Sequence, residues 1–296
     1  MIRRLAAACR AKQALIALTV AGVVVLTACG TRSAGPNASG GSTGTPSTTA
    51  AAASLAATPT APSAGVSPYP APPLFPEAPR VPVAGWQTVT ASVWSGYTFP
   101  VSGVTGVRAQ WTQPSATGRA NAVALIWVGV GGWQQQSLIQ SGTIAAAAYF
   151  GMTPIWYELL PAGPQYPQPS LNTVIPGDKI AVSIVQVPPE EKWRISVDDM
   201  SEDRTFTQVV HYDSAGTYPS FIVEYPHEGM SPSSPFVPFP HWGSVSFSNM
   251  QIRIGGQWKP AASVYGYRIQ MVRNGRTLVS TGPLDKASGF TARQEH

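Results

Sequence analysis

Two carboxylates of this chain stand inside strand-like sequence and not in turns or tails. Glu158 ends the run Ile155-Trp156-Tyr157-Glu158, and Glu224 ends the run Phe221-Ile222-Val223-Glu224, so each follows aromatic and β-branched residues. A carboxylate on a partly buried sheet surface loses hydration, which raises its pKa and prepares it for proton transfer. The simpler alternative is an edge-strand glutamate that faces water, and spacing by itself favours that alternative for both residues.

Gln140 is a third residue that does not fit its surroundings. It is a neutral amide in the short run Leu138-Ile139-Gln140-Ser141-Gly142, just after the glycine-rich segment Gly129–Trp133. A buried amide needs hydrogen-bond partners, and one that points into a cleft could stabilise an oxyanion. A structural glutamine with satisfied partners is the more frequent case, so Gln140 alone is only a candidate.

Other chemistries find less support. The segment Gly129–Gly132 lacks the Lys-Ser/Thr pair and the helix of a phosphate loop. Spacing does not exclude a Ser-His-Asp triad, although no serine has a recognisable nucleophile context. The histidines have no H-E-x-x-H spacing, so no metal site is expected; they are His211, His227, His241 and His296.

The sequence predicts that Gln140, Glu158 and Glu224 lie on β-strands. Short β-favouring runs alternate with turn residues, and no segment has an apolar stripe at helical period. Asn274-Gly275 predicts a hairpin, and residues 179–212 predict a three-stranded meander. The pattern predicts an all-β sandwich or barrel. The predicted strands are Val104–Trp111, Ala122–Val130, Lys179–Val187, Trp193–Val197, Thr205–Tyr212, Ser220–Tyr225, Val245–Phe247, Tyr267–Val272 and Thr277–Ser280.

The N-terminal residues have the pattern of an export signal. Four basic residues precede an apolar run, 14–26, that is short for a membrane span. The run ends in Leu26-Thr27-Ala28-Cys29, which resembles the lipobox of bacterial lipoproteins. Residues 1–28 are therefore predicted to be a signal peptide, with lipid on Cys29 holding the protein at the outer face of the cell membrane.

Composition bounds the rest of the chain. Residues 29–82 are rich in Ser, Thr, Ala and Pro and predict a disordered tether, because they cannot bury enough apolar surface to offset chain entropy. The folded domain is predicted at 83–290, followed by a tail at 291–296. Removing the four basic residues of the signal from the net charge of +5 leaves +1, so no nucleic-acid partner is expected. Beyond Cys29 no cysteine remains for a disulfide or a catalytic thiol.

Seven motifs in a fixed order resemble the glutamic peptidases, or eqolisins, over residues 93–290. No single motif is specific, whereas their order is. They are Trp94-Ser95-Gly96-Tyr97, Ile126-Trp127-Val128-Gly129, Leu138-Ile139-Gln140-Ser141-Gly142-Thr143, Trp156-Tyr157-Glu158, Pro176-Gly177-Asp178, Phe221-Ile222-Val223-Glu224 and Pro235-Phe236-Val237-Pro238-Phe239.

The resemblance implies a fold and a reaction. The fold would be a sandwich of two curved antiparallel sheets, a concanavalin-like jelly roll with a concave cleft. Gln140 and Glu224 match the catalytic dyad, while Trp127, Trp156 and Glu158 would line the cleft. The expected activity is that of an acid-active endopeptidase, a monomer that acts on polypeptides and needs no cofactor.

Two departures from the family pattern keep other functions open. Gly131 stands where the family has an aspartate, and Ser220 stands where many members have a glutamate. One alternative is a lectin-like module that holds glycan or peptide against Trp127 and Trp156 without cutting it. A second is a glycosidase that uses Glu158 and Glu224 as its two carboxylates.

Overall fold

The computed structural model describes residues 86–147, 153–167, 173–228 and 234–295. Within these ranges the chain forms strands and one 3₁₀ turn at Ala261–Ser263, with no α-helix and thus no helix able to cross a membrane. The predicted signal peptide, Cys29 and tether lie outside the described residues. The strands are β1 Gln87–Ala91, β2 Trp94–Thr98, β3 Val104–Thr112, β4 Val123–Gly131, β5 Leu138–Ala146, β6 Thr153–Leu160, β7 Thr173–Val174, β8 Lys179–Val187, β9 Lys192–Asp199, β10 Arg204–His211, β11 Pro219–Glu224, β12 Ser244–Ile254, β13 Gln257–Pro260, β14 Tyr267–Arg273, β15 Arg276–Thr281 and β16 Phe290–Gln294.

Hydrogen bonding joins the strands in one path that forms two halves. The first half-sheet has the order β10-β9-β8-β3-β12, and the second has β14-β2-β11-β4-β5-β6-β7. Strands β16 and β15 connect the halves, β13 pairs with β12, and β1 adds to β14 in parallel. The other pairings within the described residues are antiparallel, as expected for a chain of short strands and tight turns.

The two halves pack against each other through an apolar core. Val107 and Ile184 of the first half-sheet and Val128 and Phe221 of the second belong to this one buried cluster. The indole N–H of Trp111 crosses the interface to donate to Thr143 Oγ1, at 3.1 Å. The predicted β-sandwich is confirmed.

Strand alternation gives the second half-sheet a separate outer face. Ile126 and Val128 point into the core, so Trp127 points away from it, and the same alternation turns Gln140 and Glu224 outward. We call this outer face the site face; it carries Trp127, Gln140, Trp156, Glu158 and Glu224. A second buried cluster lies on this face and includes Trp127, Trp156 and Ile222.

Local turn chemistry was read correctly from the sequence. Strands β8, β9 and β10 form the predicted meander. Strands β14 and β15 form the predicted hairpin, in which Asn274 and Gly275 both have positive φ, 51° and 74°. This is the backbone that a two-residue hairpin turn requires.

The predicted C-terminal boundary is wrong. Residues 291–294, predicted as part of the tail, belong to strand β16, which pairs with both β12 and β15. Phe290 and Ala292 alternate into the core and are 4% and 0% exposed. This strand has only two buried apolar residues among polar ones, so the sequence pattern did not predict it.

Gly142 offers a test of how tightly the site-face strands are packed. A Cβ at this position would overlap the Ile126 carbonyl oxygen and press on Trp127 Cα, which are backbone atoms that cannot turn aside. Gly142→Ala should therefore destabilise the domain by about 1–3 kcal/mol, measured by urea unfolding. Gly163→Ala is the matched control, because nothing lies within 4 Å of its Cβ. Equal stabilities of the two variants would contradict this packing.

Candidate active site

Four neighbouring strands bring the predicted site residues together. On β4, Leu125 lies opposite Glu224 of β11, and Gly129 lies opposite Gln140 of β5. Trp127 lies between these two positions along β4. Glu158 of β6 pairs directly with Gln140. The dyad residues implied by the resemblance thus flank one strand and share one face.

Glu224 is held by two tryptophans. The indole N–H of Trp127 donates to Glu224 Oε2 at 2.7 Å, and the side chain of Trp94 is a second donor. The two indole rings meet edge to face, with centroids 4.9 Å apart. Burial raises the pKa of Glu224 to about 7, and the two donors partly oppose this rise because they stabilise the ionised form.

Glu158 is the second buried carboxyl of the site face. Its pKa is raised to about 8, first by burial and then by the charge of nearby Glu224, while the hydrogen bond from Gln140 acts in the opposite direction. Two carboxyls that share a site do not ionise independently. The charge of either carboxyl disfavours ionisation of the other, so the pair loses its two protons in separate steps.

The side-chain amide of Gln140 has a hydrogen-bond partner for its nitrogen but none for its oxygen within the described residues. Its Nε2 donates to Glu158 Oε2 at 2.6 Å, which fixes the amide. Its Oε1 is buried and has no hydrogen-bond partner within the described residues. A buried acceptor without a partner is costly, and a water or ligand donor at this position would satisfy it.

The two predicted cleft tryptophans are buried. Trp127 is 0% and Trp156 is 2% exposed, and Trp156 donates from its indole N–H to the Thr143 carbonyl at 3.3 Å. Both rings form the floor of the site and support the strands around it. Neither exposes a face on which a sugar ring could stack, as a lectin-like site would require.

Both departures from the family pattern have a local structural counterpart. Gly131 has φ 106°, and a Cβ there would overlap the Ser137 carbonyl oxygen, so this turn excludes an aspartate. Ser220 is fully buried and its hydroxyl lies 2.8 Å from that of Thr98. Neutral groups therefore occupy both places, and Glu158 and Glu224 are the carboxylates of the site face.

Comparison with known proteins decides the family. The sequence model of the Peptidase A4 family matches residues 92–291. The chain belongs to the Peptidase A4 family. The resemblance to glutamic peptidases is confirmed, and the chain is a glutamic-type peptidase, a hydrolase, by family. Comparison with curated protein sequences gives no match.

Solved structures show the same fold for this Peptidase A4 member. Scytalido-glutamic peptidase with a peptide-based transition-state analogue is 20% identical, with TM-score 0.60, and the match covers 69% of this chain and 98% of that one. SCP-B, an eqolisin in complex with the tripeptide Ala-Ile-His, is 19% identical, with TM-score 0.57 and the same coverage. At this identity the likeness concerns the fold.

One site residue of this Peptidase A4 member was missed from the sequence. Trp94 was noted only as part of a motif, yet it pairs with Glu224 across β2 and β11 and donates to its carboxylate. Its place in the ordered motifs was the only signal. Within the described residues, no three His, Asp or Glu side chains gather as a metal ion would need.

The raised pKa of Glu158 predicts how stability depends on pH. A group whose pKa is higher in the folded state than its ordinary 4.5 stabilises most below 4.5, and that contribution is lost as the pH rises towards 8. The Tm should therefore fall by several degrees between pH 4.5 and pH 8. Glu158→Gln should make this fall smaller, as followed by calorimetry, and the remaining fall reports Glu224, whose pKa is also raised. Glu190→Gln, in an exposed turn, should leave it unchanged; an equally steep fall in Glu158→Gln would contradict the assignment.

Proposed function

We propose that this Peptidase A4 member is an endopeptidase whose catalytic dyad is Glu224 and Gln140. The observation that carries the proposal is their shared placement on the site face. The carboxyl of Glu224 accepts hydrogen bonds from two indole N–H groups. Across one strand lies Gln140, whose buried Oε1 has no hydrogen-bond partner within the described residues. A base of raised pKa and a fixed amide are the parts that water-mediated amide hydrolysis needs.

In the first step, ionised Glu224 removes a proton from a water molecule as the water oxygen attacks the scissile carbonyl carbon. Gln140 can serve both reacting groups, because an amide has an acceptor oxygen and two N–H donors. One N–H bonds to Glu158. The other is left to stabilise the oxyanion of the tetrahedral intermediate, while Oε1 accepts a hydrogen bond from the water.

In the second step, protonated Glu224 returns the proton to the leaving nitrogen. The C–N bond breaks, the oxyanion collapses to a carboxyl group, and the carboxylate of Glu224 is regenerated. Trp94 and Trp127 hold that carboxylate through both steps, since each donates an N–H that favours its ionised form. Protonated Glu158 adds no negative charge next to the developing oxyanion.

The electrostatics of the site bear on the operating pH. The resemblance favours an acidic optimum, whereas the surroundings of Glu224 raise its pKa to about 7. Since a general base must be ionised, activity that depends on Glu224 falls as the pH falls through that value. We propose that the working range of the free enzyme lies nearer to neutrality than the resemblance implies.

Export and lipidation at Cys29 complete the proposal. The basic residues, apolar run and lipobox-like Leu26-Thr27-Ala28-Cys29 support a lipid-anchored protein on the outer face of the cell membrane. The Ser/Thr/Ala/Pro-rich residues 29–82 would then hold the peptidase domain away from the lipid surface. The substrates would be polypeptides that reach this space, cut by a monomer without a cofactor.

Removing the base should abolish turnover without removing the fold. Glu224→Gln keeps the shape of the side chain and one acceptor oxygen but cannot take a proton from water, so kcat on an unfolded protein substrate should fall about 10³-fold or more. Gln140→Ala should lower kcat about 10²–10³-fold. Glu228→Gln, four residues further and exposed, is the control and should retain full activity. Equal cleavage by Glu224→Gln would refute the dyad, and binding without turnover from pH 2 to 9 would indicate a binding module.

The pH profile of kcat/KM provides an independent test of the same carboxylate. Its rising limb should report a pKa near 7 for the free enzyme, well above the ordinary 4.5 of a glutamate. Trp94→Phe removes one donor to the ionised form, so it should move this limb to higher pH. Trp86→Phe changes an exposed tryptophan and should not move it. A rising limb near 4 in the unmodified chain would show that water enters the site and restores an acidic optimum.

A further inference from the structure

The outer face of the first half-sheet contains a groove that the peptidase reaction does not use. It encloses about 490 Å³ and lies across the sandwich core from the site face. Three arginines and a tryptophan dominate its lining, which consists of Arg108, Ser183, Val185, Gln186, Val187, Pro188, Arg194, Arg253 and Trp258.

Strand pairing brings the three arginines into this groove from three different strands. Arg253 of β12 lies opposite Gly106 of β3. Arg108 is two residues further along β3 and therefore lies on the same face of the sheet. Arg194 of β9 lies opposite Val185, which in turn lies opposite Gly106. Gly106 leaves room for the Trp258 ring, because a Cβ there would be only 3.2 Å from it. The register thus builds a concave, cationic surface.

Two of the three guanidinium groups are held in place before any ligand arrives. Arg108 lies over the Trp258 ring, 4.4 Å from its centroid, and donates through Nε and Nη2 to Gln251 Oε1 at 3.0 and 2.6 Å. Arg253 donates through Nε to the Gly256 carbonyl at 3.2 Å. Fixed guanidinium groups lose little side-chain entropy when they bind a ligand.

In the part of the chain that the structure describes, no acid forms an ion pair with this cluster. Within the described residues none of the three arginines forms an ion pair, although Arg204 and His211 on the neighbouring strand both do. Asp198, on the same face of β9, is four residues from Arg194 along the strand. Three like charges gathered without a counter-charge repel one another, so a bound anion relieves that repulsion as well as adding its own hydrogen bonds.

We infer that this groove binds the oxyanion of a phosphate ester. A carboxylate has two oxygens and one negative charge, which a single guanidinium fork satisfies. A phosphate ester presents more oxygens and up to two charges to three arginines, and guanidinium groups recognise it bidentately. The Ser183 hydroxyl lies in the same lining, while Val185 and Val187 provide an apolar wall for the alcohol part of the ester. Because the groove and the dyad lie on opposite sides of the core, a ligand here does not compete with cleavage.

The test uses the chain from Gly30 onwards, so that neither the predicted signal peptide nor an acyl chain contributes to membrane binding. Glycerol 3-phosphate is titrated by calorimetry, and flotation with phosphatidylglycerol vesicles is compared with phosphatidylcholine vesicles. We expect saturable binding in at least one arm that weakens as salt is raised from about 50 to 200 mM. Binding of the soluble ester assigns a free or polymer-borne phosphate as the source, whereas binding to phosphatidylglycerol vesicles alone assigns a lipid headgroup.

Arg194→Gln is the deciding variant, because Arg194 is exposed and makes no hydrogen bond or ion pair within the described residues, so its replacement leaves the fold intact. It should weaken binding about tenfold. Arg276→Gln, an equal charge change in the β14–β15 hairpin, should weaken it less than about twofold. Absence of saturable binding in both arms, or equal weakening by both variants, overturns the inference. Peptidase activity should be unchanged in Arg194→Gln. Because the test measures ligand binding and not cleavage, its outcome does not depend on the dyad assignment.

Discussion

The hydrogen bond from Trp127 to Glu224 is the interaction on which the site depends. Burying an ionised carboxylate is costly unless donors replace its lost water. Here the indole N–H groups of Trp127 and Trp94 do so from β4 and β2, the two strands that flank β11. Because both rings are themselves buried, they cannot turn away, and the carboxylate is fixed together with the sheet.

The same sheet controls the protonation of the site through Glu158. Glu158 is buried one strand beyond Gln140, and burial raises its pKa as it raises that of Glu224. Each negative charge disfavours the other, so the two carboxyls do not ionise independently. The second carboxyl of the site face comes from Glu158, since positions 131 and 220 hold glycine and serine.

A single rule of strand geometry divides the molecule into surfaces with different chemistry. Side chains alternate across each strand, so every strand that supplies the core must send its other residues outward. In the second half-sheet those outward residues form the site face. In the first half-sheet they include Arg108, Arg194 and Arg253, which form a cationic groove on the far side of the core.

The sequence by itself determined the fold class, the meander, the Asn274-Gly275 hairpin and the identity of Gln140, Glu158 and Glu224 as unusual residues. These follow from local properties, since alternation, turn residues and a carboxylate in apolar sequence are visible within a few positions. Strand β16, the indole donors to Glu224 and the arginine groove were decided only by the tertiary structure. Each of them joins residues far apart in the chain, and the register that makes them neighbours is fixed by packing across the whole sheet.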